Sequence, residues 1–333
     1  MKHTKKITIL HSNDLHGDFL AEQVDEKLVG GVSMLSGYIE KVRAEEPNTI
    51  YAIAGDMFRG SVIDSEYKGL STIEIMNALA PDIVTIGNHE VDYGIAHLLF
   101  IEKCARFPII NANLYIKNTP TRLFTPYKIL RMDGMNILFI GIITQDVINQ
   151  TKSESLVGSF VDTAAAAAEV GKICNAHNSI DIDFTVLLTH IGFEEDKHLA
   201  RQLDPAWGVD LIIGGHPHVV QPARMLMAQD GREVPVFYSL GNFLSHQTSP
   251  ENMLGGMASV TICMDETGAY VEDYELLPTI NLITKNPDTG WYNYSPMLLS
   301  DYTPELAATH HIPGCSLDAM QTLFDQIISG TAG

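Results

Sequence analysis

Short runs of β-branched and other apolar residues recur along the chain, and each ends in a polar or glycine-containing loop. Segments with helical spacing lie between them, for example at 33–46 and at 162–178. Strands that alternate with helices indicate an α/β architecture, in which ligands bind at the carboxyl ends of strands. We therefore expect a site in the polar loops. The five runs that predict strands are 7–10, 49–54, 83–86, 184–188 and 210–213.

The C-terminal part of the chain has a different character. From 278 to 313 it is rich in Pro, Asn, Thr and Tyr, which predicts irregular structure. A last helix is predicted over 316–329, with one apolar face that docks on the core. The sequence therefore predicts a main domain over 1–278, followed by a tail over 279–333.

Composition restricts the class of protein. The 333 residues are 45% hydrophobic with a mean hydropathy of +0.05, enough to bury a large core. The net charge of −20 argues against nucleic acid or an anionic membrane surface as the main partner. Four cysteines without CxxC spacing are interpreted as reduced thiols, although their even number leaves disulfides open.

The start of the chain and the length of its apolar stretches bear on the predicted location of the protein. A basic start at 1–6 is followed by only four apolar residues, too few for the core of a secretory leader. No later stretch reaches the roughly 18 to 20 apolar residues that a membrane helix needs. The sequence therefore predicts a cytoplasmic protein without a membrane partner, and leaves its oligomeric state open.

The loops after the predicted strands carry seven side chains that could bind a metal. Seven are too many for one cation with an open position, but suit two cations if one carboxylate bridges them. Two cations about 3.5 to 4 Å apart can clamp both reacting oxygens of a phosphoryl transfer, and would attract an anionic substrate to this acidic chain. The seven are Asp14, His16, Asp56, Asn88, His190, His216 and His218.

These blocks resemble a known family. Asp14-x-His16, Gly55-Asp56, Gly87-Asn88-His89-Glu90, Thr189-His190 and Gly214-Gly215-His216-Pro217-His218 are similar to the five signature blocks of calcineurin-like metallophosphoesterases. The fuller contexts at 12–17, 55–61, 111–114 and 239–243 resemble the catalytic domain of 5′-nucleotidases and 2′,3′-cyclic-nucleotide phosphodiesterases. The resemblance covers about 5–278. It implies a four-layer α/β/β/α sandwich with two central mixed sheets.

The resemblance also implies a role for each metal-binding residue. Asp14, His16 and His218 would bind one metal, while Asn88, His190 and His216 would bind the other. Asp56 would bridge the two. Both would be divalent, and the mixed donors suit Mn, Zn, Fe or Co without distinguishing among them.

Three further residues are candidates for the reaction itself. His89 follows a metal-facing residue, so its imidazole is expected to stabilise the transferring phosphoryl group or to protonate the leaving alkoxide. Asp92 could fix that ring by accepting its other N–H, or it could be a cap or surface charge. Arg59 could contact a phosphate oxygen or lie on the surface, and Glu90 could support the loop.

The resulting hypothesis is a metal-dependent phosphoric ester hydrolase in which metal-bound hydroxide attacks phosphorus in line. Its substrate would be a small-molecule phosphate ester, with a 5′-nucleotidase-like phosphomonoesterase and a cyclic-nucleotide phosphodiesterase both open. The alternative is a metal- or ligand-binding module that kept the fold but lost turnover. The resemblance to 5′-nucleotidases implies a second, C-terminal domain that binds the nucleobase, but we expect the roughly 55 residues after Leu277 to be too few for it. Trp291, Tyr292 and Tyr294 could replace it, or could serve packing.

Overall fold

The computed structural model describes most of the chain as two β-sheets stacked face to face, with helices on both outer sides. The described residues are 5–17, 19, 22–24, 27–29, 31–60, 62–146, 157–177, 181–216, 219–227, 231, 233–241, 249–266, 268–287, 290 and 292–329.

The strands are β1 (Lys5–Ser12), β2 (Glu22–Val24), β3 (Lys27–Val29), β4 (Thr49–Ala54), β5 (Ile83–Thr85), β6 (Ile109–Ile110), β7 (Leu114–Ile116), β8 (Tyr127–Met132), β9 (Met135–Ile143), β10 (Val161–Thr163), β11 (Phe184–His190), β12 (Leu211–Ile213), β13 (Ala223–Met227), β14 (Glu233–Phe237), β15 (Leu254–Asp265), β16 (Gly268–Lys285) and β17 (Tyr292–Leu298). The helices are α1 (Gly31–Glu45), α2 (Val62–Tyr67), α3 (Leu70–Leu79), α4 (Ile95–Cys104), α5 (Val157–Phe160), α6 (Ala166–His177), α7 (Phe193–Gln202), α8 (Pro250–Met253), α9 (Pro304–Thr309) and α10 (Leu317–Ser329).

Both large sheets are mixed. The first sheet has the order β17-β16-β15-β1-β4-β5-β6, in which the neighbours from β1 to β6 are parallel and the pairs from β17 to β1 are antiparallel. The second sheet has the order β13-β14-β12-β11-β9-β8, with a parallel centre and an antiparallel strand at each edge. The parallel strands of each sheet therefore send their carboxyl ends to one edge.

The central strands are buried on both faces, as β4 illustrates. Ile50, Ala52 and Ala54 point into the cluster between the two sheets, whereas Tyr51 and Ile53 point into the cluster beneath the outer helices. This alternation follows from the two-residue period of a strand. A near-continuous apolar run is what a strand covered on both sides requires.

The helices complete the sandwich. One group covers the outer face of the first sheet with Leu35 and Ile39 of α1 and with apolar residues of α3 and α4. Another covers the second sheet with Val170 and Ile173 of α6 and Leu199 of α7. The four-layer α/β/β/α architecture with two mixed sheets is therefore confirmed.

The structure corrects two predicted elements. The prediction of irregular structure from 278 to 313 is wrong, since β16 continues to Lys285 and pairs with β17 at the edge of the first sheet. Backbone pairing along the strand outweighs the weak strand propensity of Pro and Asn there. The helix predicted from 162 begins only at Ala166, because Val161–Thr163 pairs with β7.

The final helix is present as α10. It buries Met320, Phe324 and Ile327 in a cluster that also contains Ile280 and Leu282 of β16. The tail thus packs on a strand of the first sheet, while the division of the chain at 278 stays a prediction.

Two further features bear on the sequence-based expectations. All four cysteines are free thiols. Among the residues that the structure describes, no helix is both long enough and apolar enough to cross a membrane.

The packing of α10 predicts a stability effect. Replacing Met320, which is 1% exposed, with alanine is expected to lower the free energy of unfolding by about 2 to 5 kcal/mol, because it leaves a cavity in the core. Urea denaturation measures the change. As a control, Gln321→Ala on the exposed side of the same helix is expected to change it by about 0.5 kcal/mol or less. If the tail unfolded at a lower urea concentration than the rest of the chain, this result would contradict a core shared by α10 and β16.

Candidate metal centre

Loops from both sheets meet at one edge of the sandwich. Nδ1 of His190, at the end of β11, lies 2.7 Å from the carbonyl oxygen of Ala54, at the end of β4. The backbone N–H of His216 lies 3.4 Å from Oδ2 of Asp14. The predicted residues that the structure brings together here are Asp14, His16, Asp56, Asn88, His190 and His216. His218 lies outside the described residues.

One group of donor atoms surrounds Nε2 of His190. Oδ2 of Asp56 and Oδ1 of Asn88 each lie 3.2 Å from this nitrogen, and Nδ1 of His216 lies 3.3 Å from it. The other ring nitrogen of His190 contacts Ala54, which turns Nε2 toward these donors. Ligands held near 2.1 Å from one cation lie about 3 to 3.5 Å from each other, so this spacing suits a metal ion.

A second group of donor atoms is formed by Asp14, His16 and Asp56, whose ligand atoms all lie within 4.8 Å of one another. Nδ1 of His16 is 3.1 Å from the carbonyl oxygen of Phe58 and 3.0 Å from that of Arg59. Its Nε2 is therefore left for the group, at 3.7 Å from Oδ1 of Asp14. Asp56 belongs to both groups.

The electrostatics of the centre favour positive charge. Asp14 and Asp56 are both completely buried. Burial raises the pKa of Asp56, but the charges of His190 and His16 outweigh burial and hold this pKa well below its usual range. Burial lowers the pKa values of both histidines, yet the carboxylates raise them to about 10 for His190 and about 9 for His16. Protons thus supply the positive charge, and bound cations would replace them.

The residues present fit divalent cations. Among the described residues, Oδ2 of Asp56 is buried without a hydrogen bond of good geometry, although it lies within ion-pair distance of His190. Carboxylate, amide and imidazole donors together suit first-row transition metals. The centre could therefore hold such cations, with Asp56 facing both groups of donors.

The backbone around the centre is strained. Asp14, His16, Asp56 and His216 have φ values of 52°, 50°, 53° and 96°. Such left-handed conformations cost of order 1 to 3 kcal/mol each for residues with a Cβ, so the surrounding contacts must hold them. Gly87 leaves room for the carboxylate of Asp56, since a Cβ on it would lie 2.2 Å from Oδ1 of Asp56.

Glu90 holds two of the metal-site loops together. Its buried carboxylate accepts backbone N–H groups from Asp56 at 2.9 Å, Met57 at 2.7 Å, Phe58 at 3.1 Å and Gly87 at 2.5 Å. Burial and the charge of Asp56 raise the pKa of Glu90 to about 7, although the amides of Gly87 and Phe58 and the charge of His190 oppose this shift. The sequence indicated only a supporting role, because its place next to His89 does not show how many amides converge on it.

His89 lies beside the metal groups and is held by Asp92. Nδ1 of His89 is 2.8 Å from Oδ2 of Asp92, and its ring centroid is 5.4 Å from that of His16. The guanidinium of Arg59 donates to the same oxygen of Asp92. Burial lowers the pKa of His89, but its contact with Asp92 and the charge of Asp56 raise it overall. Arg59, Asp92 and His89 thus form a connected row.

Asp64 is a supporting residue that sequence reasoning missed. This buried carboxylate accepts the backbone N–H of Arg59 at 2.7 Å and the hydroxyls of Thr72 at 2.5 Å and Tyr93 at 2.9 Å. It fixes Arg59 in its left-handed conformation, at φ 64°. No sequence signal marks it, since it resembles any acidic residue at the start of a helix.

Other residues that the sequence analysis considered lie elsewhere or have other tasks. Asn113 bridges to β9, accepting the N–H of Ile143 at 2.9 Å and donating to its carbonyl at 2.8 Å. Tyr292 is 43% exposed, with its ring 4.7 Å from that of His311. Trp291, Asn242 and the side chain of Tyr294 lie outside the described residues.

Comparisons with known proteins identify the family of the chain. The family model described as bacterial capsule synthesis protein PGA_cap matches residues 70–247, a span that contains Asn88, His190 and His216. The 5′-nucleotidases of mouse and human are each 30% identical to the chain, over 270 and 271 residues. These alignments cover 72% of the chain and 46% of each relative, so the chain spans about half the length of these relatives.

Solved structures share the fold. A 5′-nucleotidase precursor from Thermus thermophilus superimposes with a TM-score of 0.67 at 22% identity, over 98% of this chain and 59% of that one. The calcineurin-like phosphoesterase YfkN from Bacillus subtilis has a TM-score of 0.66 at 19% identity, over 99% of this chain and 100% of that one. The chain therefore belongs to the PGA_cap family, and its fold is that of a calcineurin-like metallophosphoesterase resembling the N-terminal domain of 5′-nucleotidases.

Proposed function

We propose that the protein is a metal-dependent phosphoric ester hydrolase with two divalent cations per chain. The observation that carries this proposal is the pair of donor groups that share the buried carboxylate of Asp56. With Asn88 the two groups offer more side-chain donors than one cation with an open position takes, whereas a bridging carboxylate serves two cations. The names of the relatives support a nucleotide as the substrate class.

The ligands divide between the two cations. Asp14 and His16, with His218 as a third ligand, would hold one cation, and Asn88, His190 and His216 would hold the other. The bound pair would act as a Lewis acid on the phosphate and lower the pKa of the attacking water. The chain's own contribution is to fix these donors by backbone contacts, as Phe58 and Ala54 do for His16 and His190.

The row of Arg59, Asp92 and His89 serves the substrate. Asp92 accepts the Nδ1–H of His89, which leaves Nε2 to face the phosphate or the leaving oxygen. As a general acid, His89 would transfer the Nε2 proton to the departing alkoxide. Arg59 is held by the same carboxylate and has further N–H donors for a phosphate oxygen.

The remaining sequence-based expectations stay predictions. The described contact between His89 and Asp92 favours turnover over a binding module without activity, because a module would not need an oriented acid. Hydrolysis of a monoester or of a cyclic diester, and a cytoplasmic location, are both untested. A panel of nucleoside monophosphates, cyclic nucleotides and aryl phosphates with added Mn²⁺ separates the substrate classes.

Removing the shared charge tests the two-cation site. Elemental analysis is expected to give about two equivalents of transition metal per chain, and fewer in Asp56→Asn. Loss of a residue that only contacts a metal ligand typically lowers metal affinity or activity by about 10- to 100-fold. Because Asp56 would itself be a ligand, we expect hydrolysis of an aryl phosphate to fall by more than about 100-fold. Asp318→Asn, on the exposed side of α10, is the matched control. Full activity in metal-stripped protein would contradict the proposal.

His89 has a separate test. The His89→Ala variant is expected to lower kcat by about 10² to 10⁴, the range for a positioned acid or base, while retaining its metal content. Steady-state kinetics together with elemental analysis check both parts. An unchanged kcat would remove His89 from the reaction.

Arg59 is expected to act on binding rather than on metal content. Loss of one charged hydrogen bond corresponds to about 1.5 to 3 kcal/mol, so Arg59→Ala should raise KM by about 10- to 100-fold. Arg106→Ala, an exposed arginine at the end of α4, is the control. If KM stays within about twofold of the wild-type value, Arg59 does not bind the substrate.

A further inference from the structure

Asp196 occupies an unusual place for a charged residue. It lies in the first turn of α7, the helix between β11 and β12, and its side chain is completely buried against the second sheet. Leu199, on the same face of the helix, makes the apolar contact expected there. A buried carboxyl group is costly unless its neighbours satisfy it, so its presence needs a specific reason.

The contacts of Asp196 place it between the ends of two strands. Its Oδ1 accepts the hydroxyl of Thr189 at 2.6 Å, at the end of β11. Its Oδ2 packs on Gly214, just after β12, so closely that a Cβ there would lie 2.2 Å away. The hydroxyl of Thr189 also lies 3.4 Å from the carbonyl oxygen of Ile213. The carboxyl group thus fills the space that only a glycine leaves open.

Both strand ends lead directly into the metal centre. His190 follows Thr189, and His216 lies two residues after Gly214. The two loops are also joined by the backbone N–H of Gly192, which donates to Gly215 at 3.2 Å, and Asp196 donates its own N–H to Gly192 at 2.9 Å. The carboxyl group and these amides therefore determine how far apart the two histidine-bearing loops lie.

We propose that Asp196 is a positioning residue that holds His190 and His216 at the separation which one metal cation needs. This inference rests on the proposed two-cation site. Under this proposal, the contact between Asp196 and Thr189 sets the distance of 3.3 Å between Nε2 of His190 and Nδ1 of His216.

The chemistry of the pocket favours a neutral carboxyl group. Burial raises the pKa of Asp196 well above its usual range, although the hydrogen bond from Thr189 opposes this shift. A neutral acid keeps the shape and the hydrogen-bond acceptor without adding another buried negative charge near the centre. Asparagine has the same shape and the same acceptor, so it should replace Asp196.

The test compares four variants. Asp196→Ala should weaken metal affinity by about 10- to 100-fold, the usual cost of losing a partner of the ligands, and alter the visible absorption of Co²⁺-loaded protein. Asp196→Asn should stay within about threefold of wild type. Thr189→Val removes only the hydroxyl, and should weaken affinity in the same direction as Asp196→Ala. Glu195→Ala, an exposed acid next to Asp196, is the control for charge.

The outcomes separate this inference from the proposed function. If the wild-type chain binds fewer than two cations, the proposed function fails. Suppose instead that the wild-type chain binds two cations. If Thr189→Val and a folded Asp196→Ala then keep the wild-type metal affinity and the wild-type Co²⁺ absorption spectrum, only the positioning role fails. Damage in Asp196→Asn equal to that in Asp196→Ala would also overturn it, because the neutral isostere would then not suffice. Should Asp196→Ala not fold, Thr189→Val and Asp196→Asn still decide.

Discussion

The buried charge of Asp56 is the constraint on which the rest of the centre depends. A carboxylate without a partner costs several kcal/mol in a protein interior, so the surrounding chain must supply positive charge or donors. His190 supplies the charge from the opposite sheet at 3.2 Å, and the backbone N–H of His89 donates to Oδ1 at 2.9 Å. Packing of the two sheets therefore brings the histidine to the carboxylate. The core between the sheets is, in this sense, part of the metal site.

Other buried carboxylates in this acidic chain have a different task. Glu90 and Asp64 accept backbone N–H groups from the loop after β4, which carries Asp56 and Arg59. Each acceptor favours one conformation of that loop and so opposes the strain of its left-handed residues. Asp196 holds Thr189 in a comparable way on the second sheet. Some buried carboxyl groups therefore lie at the centre itself, and others fix the loops that present them.

The sequence predicted much of the fold because its strongest signals are local. The run 49–54 became β4 with the predicted bounds, and its polar loop lies where the rule for α/β sheets places a site. Sequence patterns also identified the side chains that meet at one edge of the sandwich, such as Asp14, Asp56 and His216. Sequence patterns could not show which residues hold these side chains in place. Asp196 and Asp64 are recognisable only in the fold, where Thr189 and the backbone of Arg59 contact them. Tertiary pairing also overrode local propensity at Val161–Thr163 and beyond 278.

The tail lengthens one end of the first sheet. In the pairing of β15 with β16, Leu254 is opposite Ile280, so β16 runs five residues past the start of β15, to Lys285. At about 3.3 Å per residue this is an extension of roughly 16 Å beyond the start of β15, at the end of the sheet where β1 leads to Asp14. β17 accompanies it and contacts the β2–β3 hairpin, which follows the loop of His16. The tail therefore extends the first sheet at the end where β1 leads to Asp14, because β16 and β17 continue beyond the point at which β15 begins.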